Sequence, residues 1–356
     1  MGILVAGLGP FRAPKNEVSW ASQANGLLFG RHGGIVSSAS FEAAPSQSDG
    51  ACSLEIWLEP SLSRSSGTIL SFYRPSLRVA SFGLRQWRSG IVIDRDSDSR
   101  VRGKAKTYVG DVLSPLKPVF LAITSGEAGT AIYVNGELFK RIANLTLSSR
   151  DLTGQLVIGT APSKADTWSG QIKGLAVYDR ELRPDEVSHH FANWMERGQP
   201  VALKKEGTVA LYLFNEGKGS IVHNQVDASN DLLIPEHFFV LREQFLERPW
   251  DEFRSDKSYL KDVGINIAGF IPLGFFFSAY FSAVGNSKRA TWLTIGLGFA
   301  VSLTIEVLQA FLPTRDSGMT DLITNTFGTA LGALLWSLSA RHNWFAESLK
   351  FTRAIL

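Results

Sequence analysis

Hydrophobic residues are distributed in two different ways along this chain of 356 residues. In the first part they form short runs between turn residues, such as Ser53-Leu-Glu-Ile-Trp-Leu58 and Pro118-Val-Phe-Leu-Ala-Ile-Thr124. Short runs of this kind predict β-strands. Beyond Asp262 the hydrophobic residues form three much longer runs. The pattern therefore predicts a β-rich domain followed by a helical domain.

The clearest local signal in the first part is a hairpin at Ala131-Ile-Tyr-Val-Asn-Gly-Glu-Leu-Phe-Lys140. Asn135-Gly136 can supply the two positive φ angles of a type I′ turn. Regularly spaced strands without helices between them indicate an antiparallel sandwich. One helix is predicted after Arg183, where Pro184 and the acids that follow favour a helix N-terminus.

Three apolar runs follow, at residues 263–285, 290–313 and 320–340, and we predict that each spans a membrane. The first has 23 residues without a charge. At 1.5 Å per residue, about 20 residues cross the hydrocarbon core of a bilayer. Pro272 is tolerated in a span, where neighbouring helices satisfy the carbonyl that it frees.

Charges in the loops predict the orientation of these spans. The turn between the first two spans carries Lys288 and Arg289, and the tail at 341–356 carries three basic residues and one acidic residue. In the other loop Arg315 is balanced by Asp316. The positive-inside rule then places the first turn and the C-terminus in the cytoplasm and the β-rich domain outside.

The start of the chain is apolar but too short for a span, and it lacks the basic flank and cleavage site of a signal peptide. We expect residues 1–32 to be the remnant of an N-terminal anchor, a fourth span cut short, with its lead-in. The predicted domains are then the β-domain at 33–235, a juxtamembrane linker at 236–261, the helical domain at 262–340 and the tail.

Composition excludes several classes of function. A net charge of +3, without a basic stripe and interleaved aromatics, does not indicate nucleic-acid binding. Because Cys52 is the only cysteine, intramolecular disulfides and cysteine-based zinc sites are excluded. Four acids lie in or near predicted loops without a calcium-ligand pattern, so solvated loops are the favoured interpretation and no cofactor is predicted: Asp94, Asp96, Asp98 and Asp111.

A polar repeat opens two of the predicted spans. Asp262-x-x-x-Asn266-x-x-Gly269 begins the first, and Asp321-x-x-x-Asn325-x-x-Gly328 begins the third. Offsets of four and seven place all three residues on one face of a helix. Each copy of the repeat ends in a glycine that allows close helix packing, and Gly332 continues the face of the second copy by one turn.

The predicted topology brings these polar residues to one level in the outer leaflet. Gln309 and Glu306 lie about one and two turns below the outer end of the second span, and Arg315 lies in the outer loop. The predicted binding cluster consists of Asp262, Asn266, Glu306, Gln309, Arg315, Asp321 and Asn325.

A structural interpretation of the cluster stands beside the functional one. The two aspartates could cap their helices, and the amides could bond helix to helix. A carboxylate such as Glu306 is costly within a span unless it is paired or neutralised, and Arg315 is its natural partner. A ligand pocket and a purely structural network both remain open at this point.

Several segments of the first part resemble the laminin-G-like, concanavalin-type jelly roll. The most specific is Trp168-Ser-Gly-Gln-Ile-Lys-Gly-Leu-Ala-Val-Tyr-Asp-Arg-Glu-Leu182, preceded by Leu156-Val-Ile-Gly159. The resemblance covers about residues 33–192. It implies an all-β sandwich that binds carbohydrate or protein, in some members through calcium.

The helical part resembles the VanZ-like membrane domain over about residues 259–340. The similarity lies in three segments: Asp262-Val-Gly-Ile-Asn-Ile-Ala-Gly-Phe-Ile-Pro-Leu-Gly274, Ile305-Glu-Val-Leu-Gln-Ala-Phe-Leu-Pro-Thr-Arg315 and Thr320-Asp-Leu-Ile-Thr-Asn-Thr-Phe-Gly328. Members of the family commonly have a further span at the front. The resemblance implies a bacterial cell envelope, and the family is named after a member associated with resistance to the glycopeptide teicoplanin.

Together these features predict a multi-pass protein of the bacterial cytoplasmic membrane. Its exterior jelly roll would bind a glycan or a surface protein, and its helices would offer a polar pocket to an amphiphilic, lipid-linked envelope molecule. Two alternatives remain: an enzyme in which Glu306 acts with Asp262 or Asp321 on a lipid-linked substrate, and a structural scaffold. No nucleophile, phosphate loop or metal set accompanies the carboxylates, so binding is favoured over catalysis.

Overall fold

A computed structural model describes residues 12–22, 25–42, 50–61, 66–95, 105–163, 165–197, 207–242, 245–253, 257–284, 287–315 and 317–341. The chain forms two compact units, one of residues 13–242 and one that contains the residues from 243 onward. The predicted anchor at the start of the chain, Asp96, Asp98 and the tail beyond Arg341 lie outside the described residues.

The first unit is an all-β sandwich, as predicted. Its strands are β1 (Val18–Trp20), β2 (Leu27–Phe29), β3 (Ile35–Phe41), β4 (Cys52–Pro60), β5 (Ser66–Arg74), β6 (Val79–Trp87), β7 (Gly90–Arg95), β8 (Ala105–Val109), β9 (Val119–Gly126), β10 (Gly129–Val134), β11 (Glu137–Ile142), β12 (Gly154–Ile158), β13 (Gly170–Tyr178), β14 (Thr208–Tyr212), β15 (Ile221–Val222) and β16 (Leu232–Leu233). Among its described residues there are also two short 3₁₀ helices, Ser149–Leu152 and Ala228–Asn230. β1 and β2 precede residue 33, where the sequence placed the start of the domain.

The strands form two antiparallel sheets. The first has the order β1-β2-β13-β4-β9-β10-β11, with β14 paired to β13, and the second has the order β15-β16-β3-β12-β5-β6-β7-β8. Alternate side chains of both sheets point into one shared core, which includes Ile56, Phe72, Leu84 and Trp168. Burial of this apolar surface between the sheets is the main favourable term for folding of the unit.

Two local predictions for the sandwich are confirmed. The β10–β11 turn has φ angles of 52° at Asn135 and 82° at Gly136, as a type I′ turn requires. Helix α1 (Pro184–Arg197) begins directly after Arg183 and covers the outer face of the first sheet with Val187 and Trp194.

The described residues of the second unit form four helices: α2 (Pro249–Glu252), α3 (Lys257–Val284), α4 (Ser287–Gln309) and α5 (Met319–Arg341). Segments 259–284 and 289–309 are long and apolar enough to cross a membrane, and in an apolar stretch of 18 residues within each only 17% and 28% of the residues are buried. A core helix of a soluble protein would be mostly buried, so these helices indicate membrane association.

The structure adjusts two details of the helical domain. Helix α5 coincides with the predicted third span, but it is not one of the two helices that meet the hydropathy criterion for a span among the described residues. Threonines together with Asp321 and Asn325 lower its apolar character. The predicted linker at 236–261 contains α2 and the first turn of α3.

Candidate functional site

The two copies of the polar repeat meet across a helix pair. Asn266 on α3 donates a hydrogen bond from Nδ2 to Oδ1 of Asp321 on α5, at 2.7 Å. Asp321 lies in the first turn of α5, where the helix dipole favours a negative charge. The repeat therefore joins α3 to α5 through an amide of one copy and a carboxylate of the other.

Asp262, the aspartate of the first copy, does not cap its helix. Helix α3 begins at Lys257, so Asp262 lies in the second turn, and it is exposed. The capping interpretation is therefore wrong for Asp262. Asp321 is also inside its helix, because α5 begins two residues earlier, at Met319.

Glu306 is the most deeply buried carboxylate of the predicted cluster, with an exposed fraction of 1%. Its Oε2 accepts a hydrogen bond from the backbone N–H of Gly318, at 2.8 Å. Hydrogen bonds to an ionised group compensate part of its desolvation. Arg315, the partner expected from the sequence, is exposed, and one described hydrogen bond of Glu306 comes from a backbone amide next to the start of α5.

Glu252 is a further carboxylate of this site that the sequence did not predict. Its Oε2 accepts hydrogen bonds from the backbone N–H of Thr320, at 3.0 Å, and from the Thr320 hydroxyl. Between these contacts the N–H of Met319 donates to the carbonyl of Glu247, at 2.9 Å. The first N–H groups of a helix have no partner within it. Three successive amides at the start of α5 thus bind Glu306, Glu247 and Glu252.

The fit around Gly318 is close. A Cβ atom at this position would lie 1.5 Å from Oε1 of Glu252, so a side chain would displace the carboxylate. The sequence offered one signal for Glu252, since Pro249 and the acids after it favour the N-terminus of a short helix. Nothing in the local pattern shows that this helix binds the loop before α5.

Asn325 and Gln309 are both buried on facing helices. Asn325 donates from Nδ2 to Oγ of Ser302 on α4, at 3.0 Å, so it bonds helix to helix. Asn325 is one turn beyond Asp321 along α5. The predicted cluster is therefore divided, with Asp321 and Glu306 near the start of α5 and Asn325 one turn further along.

The predicted packing glycines behave differently from one another. A Cβ at Gly328 would lie 2.2 Å from the carbonyl oxygen of Ile267, and one at Gly332 would lie 2.1 Å from that of Ile271. Gly269 is exposed, and a Cβ there would have no described atom within 4 Å. Gly269 is therefore not a packing contact of the described helices.

Two further glycines pack against α5 without having been predicted. Gly274 of α3 and Gly298 of α4 both lie against Thr329 of α5. A Cβ atom at Gly274 would lie 2.0 Å from the carbonyl oxygen of Thr329, and one at Gly298 would lie 2.3 Å from its hydroxyl oxygen. Thr329 is buried between them and donates its own hydroxyl to the carbonyl of Asn325. Small residues thus let all three helices approach closely.

The chemistry available here is that of clustered carboxylates and amides. Glu252, Glu306 and Asp321 surround the start of α5 and offer oxygen acceptors with negative charge. In the part of the chain that the structure describes, no group of three or more metal-binding side chains comes together. The arrangement can hold the loop before α5, and it can accept hydrogen bonds from a cationic or hydroxylated group.

Two family models match different parts of this chain. Residues 33–188 match the concanavalin A-like lectin/glucanases superfamily, and residues 208–340 match the VanZ/LLP1 family. Protein VanZ of Enterococcus faecium is 32% identical over 77 residues, which are 22% of this chain and 45% of that protein. The chain thus spans less than half the length of this relative.

Solved structures similar to this chain include a Bacteroides ovatus protein described as carbohydrate-binding and the receptor-binding domain of botulinum neurotoxin D. The first has a TM-score of 0.40 and 12% identity, covering 65% of this chain and 63% of its own. The second has a TM-score of 0.38 and 15% identity, covering 52% and 48%. The family matches, rather than these distant structures, show that one part of this chain is similar to the concanavalin A-like superfamily and another part to the VanZ/LLP1 family.

Proposed function

We propose that the chain is a bacterial cell-envelope protein with its helices in the cytoplasmic membrane and its sandwich outside, where it binds a glycan or a surface protein. The observation that carries this proposal is the presence, in one chain, of a lectin/glucanase-superfamily domain and two helices apolar enough to cross a bilayer. Lys288 and Arg289, at the start of α4, support the orientation, because basic residues at the ends of spans stay in the cytoplasm.

The orientation can be tested by cysteine labelling, because the one natural cysteine, Cys52, should give little background labelling. Cys52 is 2% exposed, and burial raises the pKa of its thiol to about 12, so the reactive thiolate is scarce. Lys117→Cys would place a thiol on an exposed turn of the sandwich, and Arg341→Cys would place one at the exposed end of α5.

A membrane-impermeant maleimide should label Lys117→Cys in intact cells and Arg341→Cys only after permeabilisation. The wild-type chain, with Cys52 alone, is the matched background control. Labelling of Arg341→Cys in intact cells, with protection of Lys117→Cys, would invert the topology and remove the proposed exterior role of the sandwich.

We also propose that the carboxylates at the start of α5 bind the headgroup of an amphiphilic envelope molecule. This is supported by the burial of Glu306 close to Gly318, the residue that Glu252 also contacts. Carboxylates within a span are costly, and most have a functional or bundle-specifying role. The headgroup would be cationic or rich in hydroxyl donors, and the VanZ-like match makes teicoplanin susceptibility the first phenotype to measure.

Glu306→Gln separates the functional role from the structural one, because it keeps the shape and an oxygen acceptor but removes the charge. Thr304→Val, at an exposed position of the same helix, is the control. Both would be expressed in a susceptible Gram-positive host, with protein abundance and the inhibitory concentration of teicoplanin measured together. If Glu306→Gln loses the effect on teicoplanin susceptibility at normal protein abundance, the result supports a ligand pocket. If the protein itself becomes less abundant, the result supports a structural role of Glu306 in the helix bundle. A phenotype and abundance equal to wild type would eliminate Glu306 from the proposal.

A further inference from the structure

A groove crosses the outer face of the second sheet of the sandwich. Leu70, Phe72 and Leu84 point into the core, so Ser71 and Gly83, which alternate with them, point outward. Strand pairing places Ser71, Gly83, Asp94 and Lys106 in one row across β5, β6, β7 and β8. The cavity above this row has a volume of about 380 Å³. Small-molecule sites commonly have volumes of about 300–1,000 Å³.

The floor of the groove has features of a binding surface. A Cβ atom at Gly83 would meet only Asp94, at an ordinary contact distance of 3.6 Å, so the space above the strand is open. Ser71 is 2% exposed, and its Oγ has no hydrogen-bond partner among the described residues. A buried hydroxyl without a partner is unfavourable. A hydroxyl group of a ligand lying in the groove would supply that partner.

The walls of the groove carry both signs of charge, with a positive excess. Arg85 pairs with Asp166 at 2.9 Å, and Lys106 pairs with Asp94 at 3.5 Å. Arg78 and Arg242 lie at the exposed edge, where Nη1 of Arg242 donates to the carbonyl of Arg78 at 3.0 Å.

Neither of these two edge guanidinium groups has a carboxylate within 4 Å in the described parts of the chain. Arginine forks bind carboxylates and phosphates through paired hydrogen bonds. The edge therefore fits an anionic group, while the hydroxyl and the ion pairs of the floor fit a polyhydroxylated one.

We propose that this groove binds an anionic saccharide, a sugar chain that carries carboxylate or phosphate groups. Its hydroxyls would contact Ser71 and the Arg85–Asp166 pair, and its anionic groups would contact Arg78 and Arg242. This inference rests on the proposed glycan-binding role of the sandwich and adds to it the location of the site and the chemical class of the ligand.

The test uses the full chain in nanodiscs and three groups of oligosaccharides. These are uronates (galacturonic and glucuronic acid oligomers), hexose oligomers linked by phosphodiesters, and neutral maltotriose and galactotriose. We expect binding of at least one acidic group, weakening as salt rises from 0.05 to 0.5 M because exposed charges become screened. The two acidic arms distinguish a carboxylate ligand from a phosphate ligand.

Two kinds of variant locate the site. Gly83→Trp fills the groove, and the double variant Arg78→Gln/Arg242→Gln removes the charge at its edge. Each should weaken binding of the acidic ligand about tenfold or more, as expected for loss of hydrogen bonds to a charged group. The controls are Gly50→Trp, at a position with open space elsewhere, and Lys140→Gln/Arg141→Gln, on exposed β11 of the other sheet. Both should bind within twofold of wild type.

The outcomes separate this inference from the proposal on which it rests. Acidic sugar binding that both groove variants leave unchanged would overturn the groove but keep the glycan-binding function. Binding of neutral sugars alone would overturn the ligand class. Binding of no saccharide would overturn both. Because Arg78 and Arg242 are exposed, their variant tests the groove even where tryptophan perturbs β6.

Discussion

Gly269 and Gly328 occupy equivalent positions of the polar repeat, yet they should respond in opposite ways to the addition of one methyl group. Gly328 faces α3, and a Cβ atom there would lie 2.2 Å from the carbonyl oxygen of Ile267. Gly269 is exposed, with no described atom within 4 Å of such a Cβ. Gly328→Ala and Gly269→Ala therefore form a matched pair with the same chemistry and helix position.

The expected magnitude follows from two opposing effects. Alanine favours a helix interior by about 1 kcal/mol over glycine, and both variants gain this amount. At Gly328 the contact must open from 2.2 Å to an ordinary distance above 3.4 Å, which moves the helices apart by about 1 Å. Overpacking of this kind costs about 1–3 kcal/mol. Gly328→Ala should thus be about 1–3 kcal/mol less stable than Gly269→Ala.

The assay is equilibrium unfolding of the full chain in detergent micelles, titrated with sodium dodecyl sulfate and followed by far-ultraviolet circular dichroism. Gly332→Ala should behave like Gly328→Ala, because its Cβ would lie 2.1 Å from the carbonyl of Ile271. If Gly328→Ala proved as stable as Gly269→Ala, the close approach of α3 and α5 at this glycine would be refuted.

Three further predictions follow from other contacts. A double-mutant cycle with Asn266→Ala and Asp321→Ala should give a coupling energy of about 0.6–1.7 kcal/mol in the same unfolding assay, and a value near zero would contradict the hydrogen bond between them. Glu252→Ala should destabilise the helical unit by about 0.5–2 kcal/mol, because α5 loses a capping acceptor; equal stability of the two chains would argue against capping. Burial lowers the pKa of His190, but the hydrogen bond to Glu55 (2.9 Å) and its charge prevail and raise the pKa above 6.5. The contribution of His190 to the free energy of unfolding should therefore be fully present below pH 6.5 and lost as the pH rises through the pKa of His190 in the folded protein. Thermal unfolding measured from pH 5 to 9 should show this loss in the wild-type chain but not in His190→Gln.

Much of the candidate site followed from the spacing of polar residues. The offsets within the repeat fix the helix face on which Asn266 and Asp321 lie, and in the structure the two side chains are hydrogen-bonded to each other. A contact between Glu306 and Arg315 stays a prediction, whereas the bond from the backbone N–H of Gly318 to Glu306 comes from a donor that the sequence pattern does not show. The enzymatic interpretation of the carboxylates stays a prediction.

The sequence by itself determined the elements that depend on local spacing. Short alternating runs specified the sandwich, Asn135-Gly136 specified its hairpin turn, and long apolar runs specified α3 to α5. The tertiary structure alone decided which of two equivalent glycines is a contact and brought Glu252 to the start of α5, 68 residues away along the chain. Periodicity fixes which face of a helix a residue occupies, but what lies opposite that face is set by packing between segments far apart in sequence.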